Sequence, residues 1–168
     1  MFERPARNPP DAMEEPRIID SIEELDETSR YLVHKAKAAT STSYAPYSNF
    51  HVGAAVMLES GIHIEGSNQE NASYPLCMCA ERVALYAVSA VHPGSVITRL
   101  AVVAHKKGHK ELVAATPCGA CRQVMVEYEQ RQGKPYEVVL LGPGGKWHVF
   151  PSAANLLPMA FDRNILLR

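Results

Sequence analysis

Residues 50–68 read FHVGAAVMLESGIHIEGSN, two largely apolar runs on either side of Glu59-Ser60-Gly61. Such runs around a tight turn that contains Gly are typical of a β-hairpin. Further along, helical patterns alternate with two apolar, β-branched runs, ITRLAVVAH at 97–105 and YEVVLL at 136–141. Helices alternating with buried strands predict a sheet covered on both faces. We therefore predict an α/β fold, a three-layer α/β/α domain whose antiparallel hairpin makes the sheet mixed.

The length suits a single domain. The chain has 168 residues, of which 46% are apolar, enough to fill one core. Residues 1–20 are rich in Pro and charge, so we expect a mobile leader there and one domain over residues 21–168. The segment SIEE at 21–24 has the pattern of a capping box, with Ser21 as N-cap and Glu24 three residues later. It predicts that a helix begins there and continues to about Ala39.

Charge and hydropathy exclude several classes of partner. The formal net charge is −1, whereas nucleic-acid binders usually carry a basic face. The longest apolar stretch, residues 83–91, is far shorter than the roughly 20 residues that a bilayer requires. The N-terminus has no apolar core of a secretory signal. We expect a cytoplasmic protein without nucleic-acid or membrane partners, in which cysteines are reduced, catalytic or metal-bound.

The four cysteines fall in two places. Cys77 and Cys79 lie in PLCMCAERVA at 75–84, and Cys118 and Cys121 form a C-x2-C pair in TPCGAC. Both segments open predicted helices, where the helix dipole lowers the pKa of a thiol and favours metal binding. Four interpretations compete: a thioredoxin-like redox pair, a structural zinc site with four thiolates, ordinary buried cysteines, and a catalytic zinc with three thiolates and a water.

The acidic residue at position 81 favours the catalytic zinc. A carboxylate two residues from a ligand can accept a proton from zinc-bound water, whose pKa zinc lowers to about 7. This geometry requires Cys79 to be the N-cap of its helix, since positions two apart in a regular helix do not face each other. Arg82 has two interpretations of equal weight: a guanidinium that offsets thiolate charge, or a solvated charge on the helix surface.

Several motifs together resemble those of a known enzyme family. C-A-E at 79–81 followed by P-C-G-A-C at 117–121 is similar to the zinc deaminase signature, with Cys in place of the first His. The small, homotetrameric cytidine deaminases are similar over about residues 25–162, through YAPYSNFHVGAA at 44–55, NQENASYPLCMCAER at 68–82, PCGACRQ at 117–123 and LLPMAF at 156–161. The resemblance implies a cytidine-deaminase-like domain, one Zn²⁺ per subunit and a homotetramer.

The resemblance also implies roles for the residues that match. Cys79, Cys118 and Cys121 would be the zinc ligands, Glu81 the proton carrier, and Arg82 the arginine that offsets thiolate charge. The implied substrate contacts are the Phe50 ring on cytosine, Asn68 and Glu70 on the ribose 3′-hydroxyl, the backbone N–H of Ala80, the backbone C=O of Thr116 and, in a neighbouring subunit's site, Phe161.

The activity that the resemblance implies is zinc-dependent hydrolytic deamination of cytidine and 2′-deoxycytidine, a step of pyrimidine salvage. One alternative is a deaminase of a cytosine nucleoside antibiotic such as blasticidin S. Those relatives typically lack the N-x-E ribose pair that residues 68–70 provide here. An alternative of another class is a structural zinc-binding interaction module, which would need all four thiols on the metal.

Overall fold

The structure is a computed structural model that describes residues 14–163 and residue 166. Its strands are β1 (Arg17–Ile19), β2 (Phe50–Leu58), β3 (His63–Ser67), β4 (Ile97–Lys106), β5 (Glu137–Leu141) and β6 (Trp147–Phe150). In the described part of the chain they form one sheet in the order β1-β6-β5-β4-β2-β3. The pairing of β4 with β5 is parallel and the other pairings are antiparallel. The predicted mixed sheet is confirmed.

The predicted hairpin is also confirmed, and it lies at one side of the sheet. Leu58 and Ile62 close the turn through a backbone hydrogen bond of 2.9 Å, and Gly61 takes a φ of +83° that suits glycine. Strand β2 pairs with β3 on one side and with the whole of β4 on the other. It is therefore buried on both faces, which explains why its sequence is apolar nearly throughout.

Helices cover the sheet on two sides, as predicted. Helix α1 (Glu27–Ala39) packs on one face, and helices α2 (Ala80–Val91) and α3 (Gly119–Gln132) pack on the other. Successive residues of a strand point to opposite faces. Accordingly, Ala54 packs toward α2 and α3, while Ala55 packs toward α1. This alternation generates two cores, one on each side of the sheet, and gives the three-layer α/β/α architecture.

The N-terminal region differs from the prediction. Arg17–Ile19, inside the expected leader 1–20, forms strand β1 and pairs antiparallel with β6. The paired structure therefore begins upstream of Ser21, while residues 1–13 of the expected leader lie outside the described residues. The expected helix start at Ser21 is also wrong, because Ile22–Glu24 is a 3₁₀ turn and α1 begins at Glu27.

Asp26, rather than Ser21, caps helix α1. Its Oδ1 atom accepts a hydrogen bond of 3.0 Å from the backbone N–H of Ser29, and Arg99 of β4 forms an ion pair with the same carboxylate. Partial burial opposes the charged form, but the hydrogen bonds from Ser29 and Arg99 outweigh it and lower the pKa of Asp26 to about 2. Arg99 also pairs with Glu137 of β5. The capping carboxylate of Asp26 is thus held both by Ser29 of α1 and by Arg99 of the sheet.

Gly66 in β3 sets how closely α2 approaches the sheet. A Cβ atom at this position would lie 2.5 Å from the backbone nitrogen of Ala84 and 2.7 Å from the carbonyl oxygen of Ala80. Both atoms belong to the backbone of α2, so no side-chain rotation could relieve the contact. The absence of a side chain at Gly66 therefore fixes the position of the first turn of α2, next to Cys79.

We expect Gly66→Ala to lower the free energy of unfolding by about 1–3 kcal/mol, because the added methyl group must displace α2 from β3. Denaturant unfolding of the purified variant measures the change. Gly119→Ala is the matched control, because a Cβ at Gly119 meets no heavy atom within 4 Å and its backbone needs no glycine. If Gly66→Ala unfolds at the same denaturant concentration as the original chain, the close approach does not constrain α2.

Candidate functional site

The N-termini of two helices meet on one side of the sheet, and each begins with a cysteine. Cys79 is the N-cap of α2, with φ −74° and ψ 152°, and Cys118 is the N-cap of α3, with φ −66° and ψ 166°. The extended backbone at both residues agrees with the N-cap position that the sequence analysis required for Cys79. Cys121 follows in the first turn of α3 and is buried. All three thiols therefore lie at the positive ends of helix dipoles.

The spacing of the three sulfur atoms fits a zinc ion. Sγ of Cys118 lies 3.9 Å from Sγ of Cys79 and 3.5 Å from Sγ of Cys121, and all three lie within 4.8 Å of one another. A tetrahedral site with Zn–S distances of about 2.3 Å separates its sulfurs by roughly 3.8 Å. Within residues 14–163 and 166, no fourth Cys, His, Asp or Glu joins this cluster. The described residues thus offer three thiol ligands, one fewer than a structural zinc site uses.

The protonation of the thiols also suits a bound cation. A hydrogen bond with Cys121, supported by Arg82, lowers the pKa of Cys79 to about 5. The same hydrogen bond, together with burial, raises the pKa of Cys121. Without a cation the cluster therefore holds one negative charge more readily than two. A divalent ion among the sulfurs reverses this preference, because metal ligation requires the thiolate form.

Cys77, the fourth cysteine, lies outside the cluster. Its sulfur accepts a hydrogen bond of 3.2 Å from the backbone N–H of Asn71 and lies 3.6 Å from the carbonyl oxygen of the same residue. The thiol thus closes the loop of residues 71–77 on itself. This contact favours the interpretation with three thiolate ligands over the structural site with four.

Glu81 is the second residue of α2 and is only 4% exposed. Burial raises the pKa of its carboxyl group above the usual range, and the nearby charge of Cys79 acts in the same direction. A carboxyl group that must both accept and release a proton at neutral pH works best with a raised pKa. The position and burial of Glu81 therefore fit a proton carrier beside the thiols.

Arg82 is directed at the thiol cluster. Its Nη2 atom lies 3.7 Å from Sγ of Cys79 and 3.4 Å from the carbonyl oxygen of Cys77. Its Nε atom is buried, with no hydrogen-bond partner among the described residues. Of the two interpretations that the sequence left open, this geometry favours the guanidinium that offsets thiolate charge.

Asn68 is used mainly by the protein itself. Its Oδ1 atom accepts hydrogen bonds from the backbone N–H of Val52 at 2.8 Å and from the Ser43 hydroxyl. Its Nδ2 atom donates to the carbonyl oxygen of Phe50 at 2.9 Å. An amide nitrogen has two N–H groups, so one donor remains for a ligand. Asn68 therefore holds the start of β2, a role that the predicted ribose contact did not include.

Glu70 organises the neighbouring loop. Its Oε2 atom accepts hydrogen bonds from the backbone N–H groups of Tyr47 at 2.9 Å and Ser48 at 3.3 Å. A hydrogen bond from the Ser48 hydroxyl is the main cause that lowers the pKa of this carboxyl group. Glu70 is thus held as a carboxylate, the form that accepts a hydrogen bond from a ligand hydroxyl.

The four remaining predicted residues lie on four different segments. Phe50 is the first residue of β2 and is half-buried. Ala80 is the first residue of α2, and the N–H groups of a first helical turn have no partner inside the helix. Thr116 is exposed and lies two residues before the N-cap of α3. The side chain of Phe161 is exposed, but its backbone is fixed by Gln123, which donates to its carbonyl oxygen at 2.9 Å and accepts from its N–H at 3.1 Å.

Sequence reasoning gave no role to Gln123 or to its neighbour Arg122. Arg122 donates hydrogen bonds to the carbonyl oxygens of Pro117 at 2.8 Å and Leu156 at 3.1 Å. Both residues lie in the PCGACRQ motif, and their place in it is the one feature of the sequence that could have indicated a role. Their partners near the C-terminus are more than 30 residues away, so the motif alone could not reveal what they hold.

Comparisons with known proteins agree on one family. The profile described as "Cytidine and deoxycytidylate deaminase zinc-binding region" matches residues 26–134. A cytidine deaminase of Halalkalibacterium halodurans is 44% identical, over 77% of this chain and 91% of the relative. One of Sporosarcina psychrophila is 39% identical, over 80% of this chain and 92% of the relative.

Solved structures give the same result. A crystal structure of cytidine deaminase from Burkholderia pseudomallei has 48% sequence identity and a TM-score of 0.64, covering 78% of this chain and 97% of that chain. Cytidine deaminase from Mycobacterium tuberculosis has 32% identity and a TM-score of 0.62, covering 83% of this chain and 99% of that chain.

We expect Cys79→Ala to lose zinc and Cys77→Ala to keep it. Changing a residue that only supports a ligand typically costs 10- to 100-fold in metal affinity, so losing a ligand should cost about 100-fold or more. Zinc affinity is measured by competition with a chromophoric chelator. Cys77→Ala is the matched control because its thiol contacts only the loop around Asn71. An equal loss of affinity in both variants would exclude the site with three thiolates.

We expect Arg82→Gln to lose zinc at a higher pH than the original chain. Protons compete with a metal for thiolates, so a thiol retains its metal only above a pH that depends on its pKa. Hydrogen bonds from Cys121 and Arg82 hold the pKa of Cys79 at about 5, and removing the guanidinium raises it. Zinc occupancy across a pH series in a zinc buffer measures the shift.

The matched control for this measurement is Arg131→Gln. The guanidinium of Arg131 stacks on the ring of Tyr128, 4.7 Å from its centroid, in the last turn of α3 and away from the thiols. Its retention curve should coincide with that of the original chain. If the curve of Arg82→Gln coincides as well, Arg82 does not tune the thiols.

Proposed function

The chain belongs to the cytidine and deoxycytidylate deaminase family, and we propose that it hydrolyses cytidine and 2′-deoxycytidine to the uracil nucleosides, with release of ammonia. The observation that carries the proposal is the convergence of three cysteine sulfurs beside one buried carboxyl group, Glu81, at two helix N-termini. Three ligands and a nearby acid–base residue are what a hydrolytic zinc site needs, whereas structural zinc sites use four protein ligands.

Cys79, Cys118 and Cys121 would hold the zinc ion. When bound there, zinc lowers the pKa of a coordinated water to about 7 and acts as a Lewis acid. Glu81 accepts a proton from a water molecule at its carboxyl group and delivers it to ring N3 of the pyrimidine, which makes C4 more electrophilic toward the oxygen of that water. Once the C4–O bond has formed, Glu81 carries the remaining proton of that oxygen to the amino group. The C4–N bond then breaks, and ammonia leaves.

The surroundings of Glu81 suit this double transfer. Burial raises the pKa of the Glu81 carboxyl group toward neutral pH. A group whose pKa lies near the working pH can both accept and release a proton. The burial of Glu81 also keeps bulk water from competing for the proton. Arg82 holds one thiol from the side through its Nη2 atom and offsets part of the charge that three thiolates bring to the site.

The groups around the thiols support recognition of a nucleoside. Glu70 is a carboxylate that can accept a hydrogen bond from the ribose 3′-hydroxyl, and the remaining Nδ2–H of Asn68 can donate one. The ring of Phe50 would pack on the cytosine. The backbone N–H of Ala80 would bind the pyrimidine carbonyl, and the backbone C=O of Thr116 would bind the amino group.

The proposal extends to assembly and location. As the family resemblance implies, the protein would be a homotetramer in which the exposed side chain of Phe161 reaches a neighbouring subunit's site. No helix in the described residues has the length and apolar character to cross a bilayer. The free cysteines are compatible with the reducing cytoplasm, where the proposed reaction would be a step of pyrimidine salvage.

The two alternatives have less support. A structural zinc module would need Cys77 on the metal, yet its thiol contacts the backbone of Asn71. A deaminase of a nucleoside antibiotic would not require the ribose pair, whereas here Asn68 bonds the backbone of Phe50 and Glu70 bonds the backbone of Tyr47. A polynucleotide substrate is disfavoured by the net charge of −1.

A substrate panel tests the proposal directly. Zinc-loaded protein is incubated with cytidine, 2′-deoxycytidine, blasticidin S, cytosine and dCMP, and ultraviolet absorbance and ammonia release are followed. We expect turnover of the two nucleosides and none of free cytosine, which lacks the ribose that Asn68 and Glu70 would bind. Turnover of blasticidin S alone, or of no compound, would overturn the proposal.

Glu81→Gln is the control that links turnover to the site. The amide has nearly the same shape but cannot carry a proton, so kcat/KM should fall by at least about 10²- to 10⁴-fold. Zinc content should remain that of the original chain, because Glu81 is not among the converging thiol ligands. A Glu81→Gln variant that stays active would exclude Glu81 as the proton carrier.

A further inference from the structure

Glu129, near the end of α3, is a buried carboxylate with an unusual set of contacts. It is 9% exposed. Its Oε1 atom accepts hydrogen bonds from the backbone N–H groups of Tyr136 at 3.0 Å and Ala153 at 2.6 Å. Its Oε2 atom accepts from the hydroxyl of Ser152 at 2.7 Å and the backbone N–H of Ala154 at 3.2 Å. All four contacts come from uncharged donors.

These contacts explain why a charged side chain is present in the interior. A buried carboxylate is costly unless its lone pairs are occupied by donors, and four donors occupy those of Glu129. Three of them belong to Ser152, Ala153 and Ala154, at the start of the segment that leads to Phe161. The carboxylate thus gathers the first donors of this turn, and Ser152 Oγ is a second acceptor for the N–H of Ala154, at 3.1 Å.

Residues 152–161, which we call the C-terminal arm, are bound to α3 at two further points. Arg122 holds the carbonyl oxygen of Leu156 in the middle of the arm, and Gln123 holds both backbone groups of Phe161 at its end. Helix α3 also carries Cys118 and Cys121. One rigid helix therefore fixes the arm relative to the thiol cluster.

The end of the arm combines a fixed backbone with a free side chain. The backbone of Phe161 is bonded on both sides by Gln123, yet the residue is 56% exposed. Ordering an exposed aromatic residue costs conformational entropy. This arrangement is expected where the ring contacts a ligand or another subunit rather than the hydrophobic core of its own chain.

We propose that Glu129 is a positioning residue, which fixes the C-terminal arm so that Phe161 is presented to the nucleoside in a neighbouring subunit's site. The inference rests on the proposed function, in which Phe161 contacts substrate. Glu129 does not touch the reacting atoms; it acts through the arm. Its loss should therefore weaken substrate binding much more than the chemical step, and it should leave the metal site intact.

The test uses the zinc-loaded Glu129→Gln variant with cytidine. An amide group accepts through its oxygen only, so one of the two pairs of donors loses its acceptor on residue 129 and the start of the arm should be held less firmly. Misplacement of a positioning group by about 1 Å can cost up to about 100-fold. We expect KM to rise by about 10- to 100-fold, with kcat and zinc content close to those of the original chain.

A double-mutant cycle separates positioning from a general structural effect. If Glu129 acts through the ring, Glu129→Gln should raise KM strongly in the original chain but hardly at all in Phe161→Ala. Glu59→Gln is the matched control, since the side chain of Glu59 is 62% exposed and pairs only with Lys134 on the surface. An unchanged KM in Glu129→Gln, or additive effects in the cycle, would overturn the proposal.

Two further measurements keep the outcome unambiguous. Amide hydrogen exchange should become faster at residues 153–161 in Glu129→Gln and not in Glu59→Gln, whatever the catalytic result. If Glu129→Gln does not fold, Ser152→Ala removes a single donor and should raise KM in the same direction by less. If the original chain does not deaminate cytidine, the proposed function fails, whereas unchanged exchange in the arm refutes the anchoring itself.

Discussion

The meeting of two helix N-termini is the constraint on which the rest of the site depends. Cys79 and Cys118 are both N-caps, and their sulfurs can lie 3.9 Å apart only because α2 and α3 begin side by side. The close packing of α2 against Gly66 fixes one of these helices on the sheet. Each helix then contributes its positive end to the same small volume. Thiolates, a carboxyl group and an unpaired backbone N–H can coexist there because the dipoles favour negative charge.

The charges of the thiols are offset by the side chains packed around them. Arg82 contacts one thiol from α2, while the thiols of α3 share protons with that of Cys79. The carboxyl group of Glu81 is buried beside them, so its charge is disfavoured. A divalent cation would suit this arrangement, since it would stabilise the thiolates together. In the proposed reaction, metal loading and proton transfer would therefore be coupled.

Much of the fold was predictable from local pattern, and the parts that were not depend on distant partners. The hairpin, the buried strands and the helix starts at Cys79 and Cys118 follow from periodicity and turn residues. The cap of α1 did not, because both Ser21 and Asp26 are N-cap residue types, and the ion pair that Asp26 makes with Arg99, 73 positions away, cannot be read from local pattern. Strand β1 is three residues long in a polar segment and exists through its pairing with β6.

The site shows the same division. Ligand spacing predicted the three thiols that the structure brings together, because two N-caps and one first-turn residue are local features. The orientation of Arg82 and the contacts of Gln123 and Glu129 depend on tertiary packing.

Asn68 shows how such tertiary contacts complicate the interpretation of a variant. Since its carboxamide holds Val52, Ser43 and Phe50, any change there moves the aromatic ring as well as the remaining donor. A loss of nucleoside binding in an Asn68 variant therefore combines two effects, the displacement of Phe50 and the loss of the free Nδ2–H donor. Variants of Phe50 and Glu70 are needed to separate them.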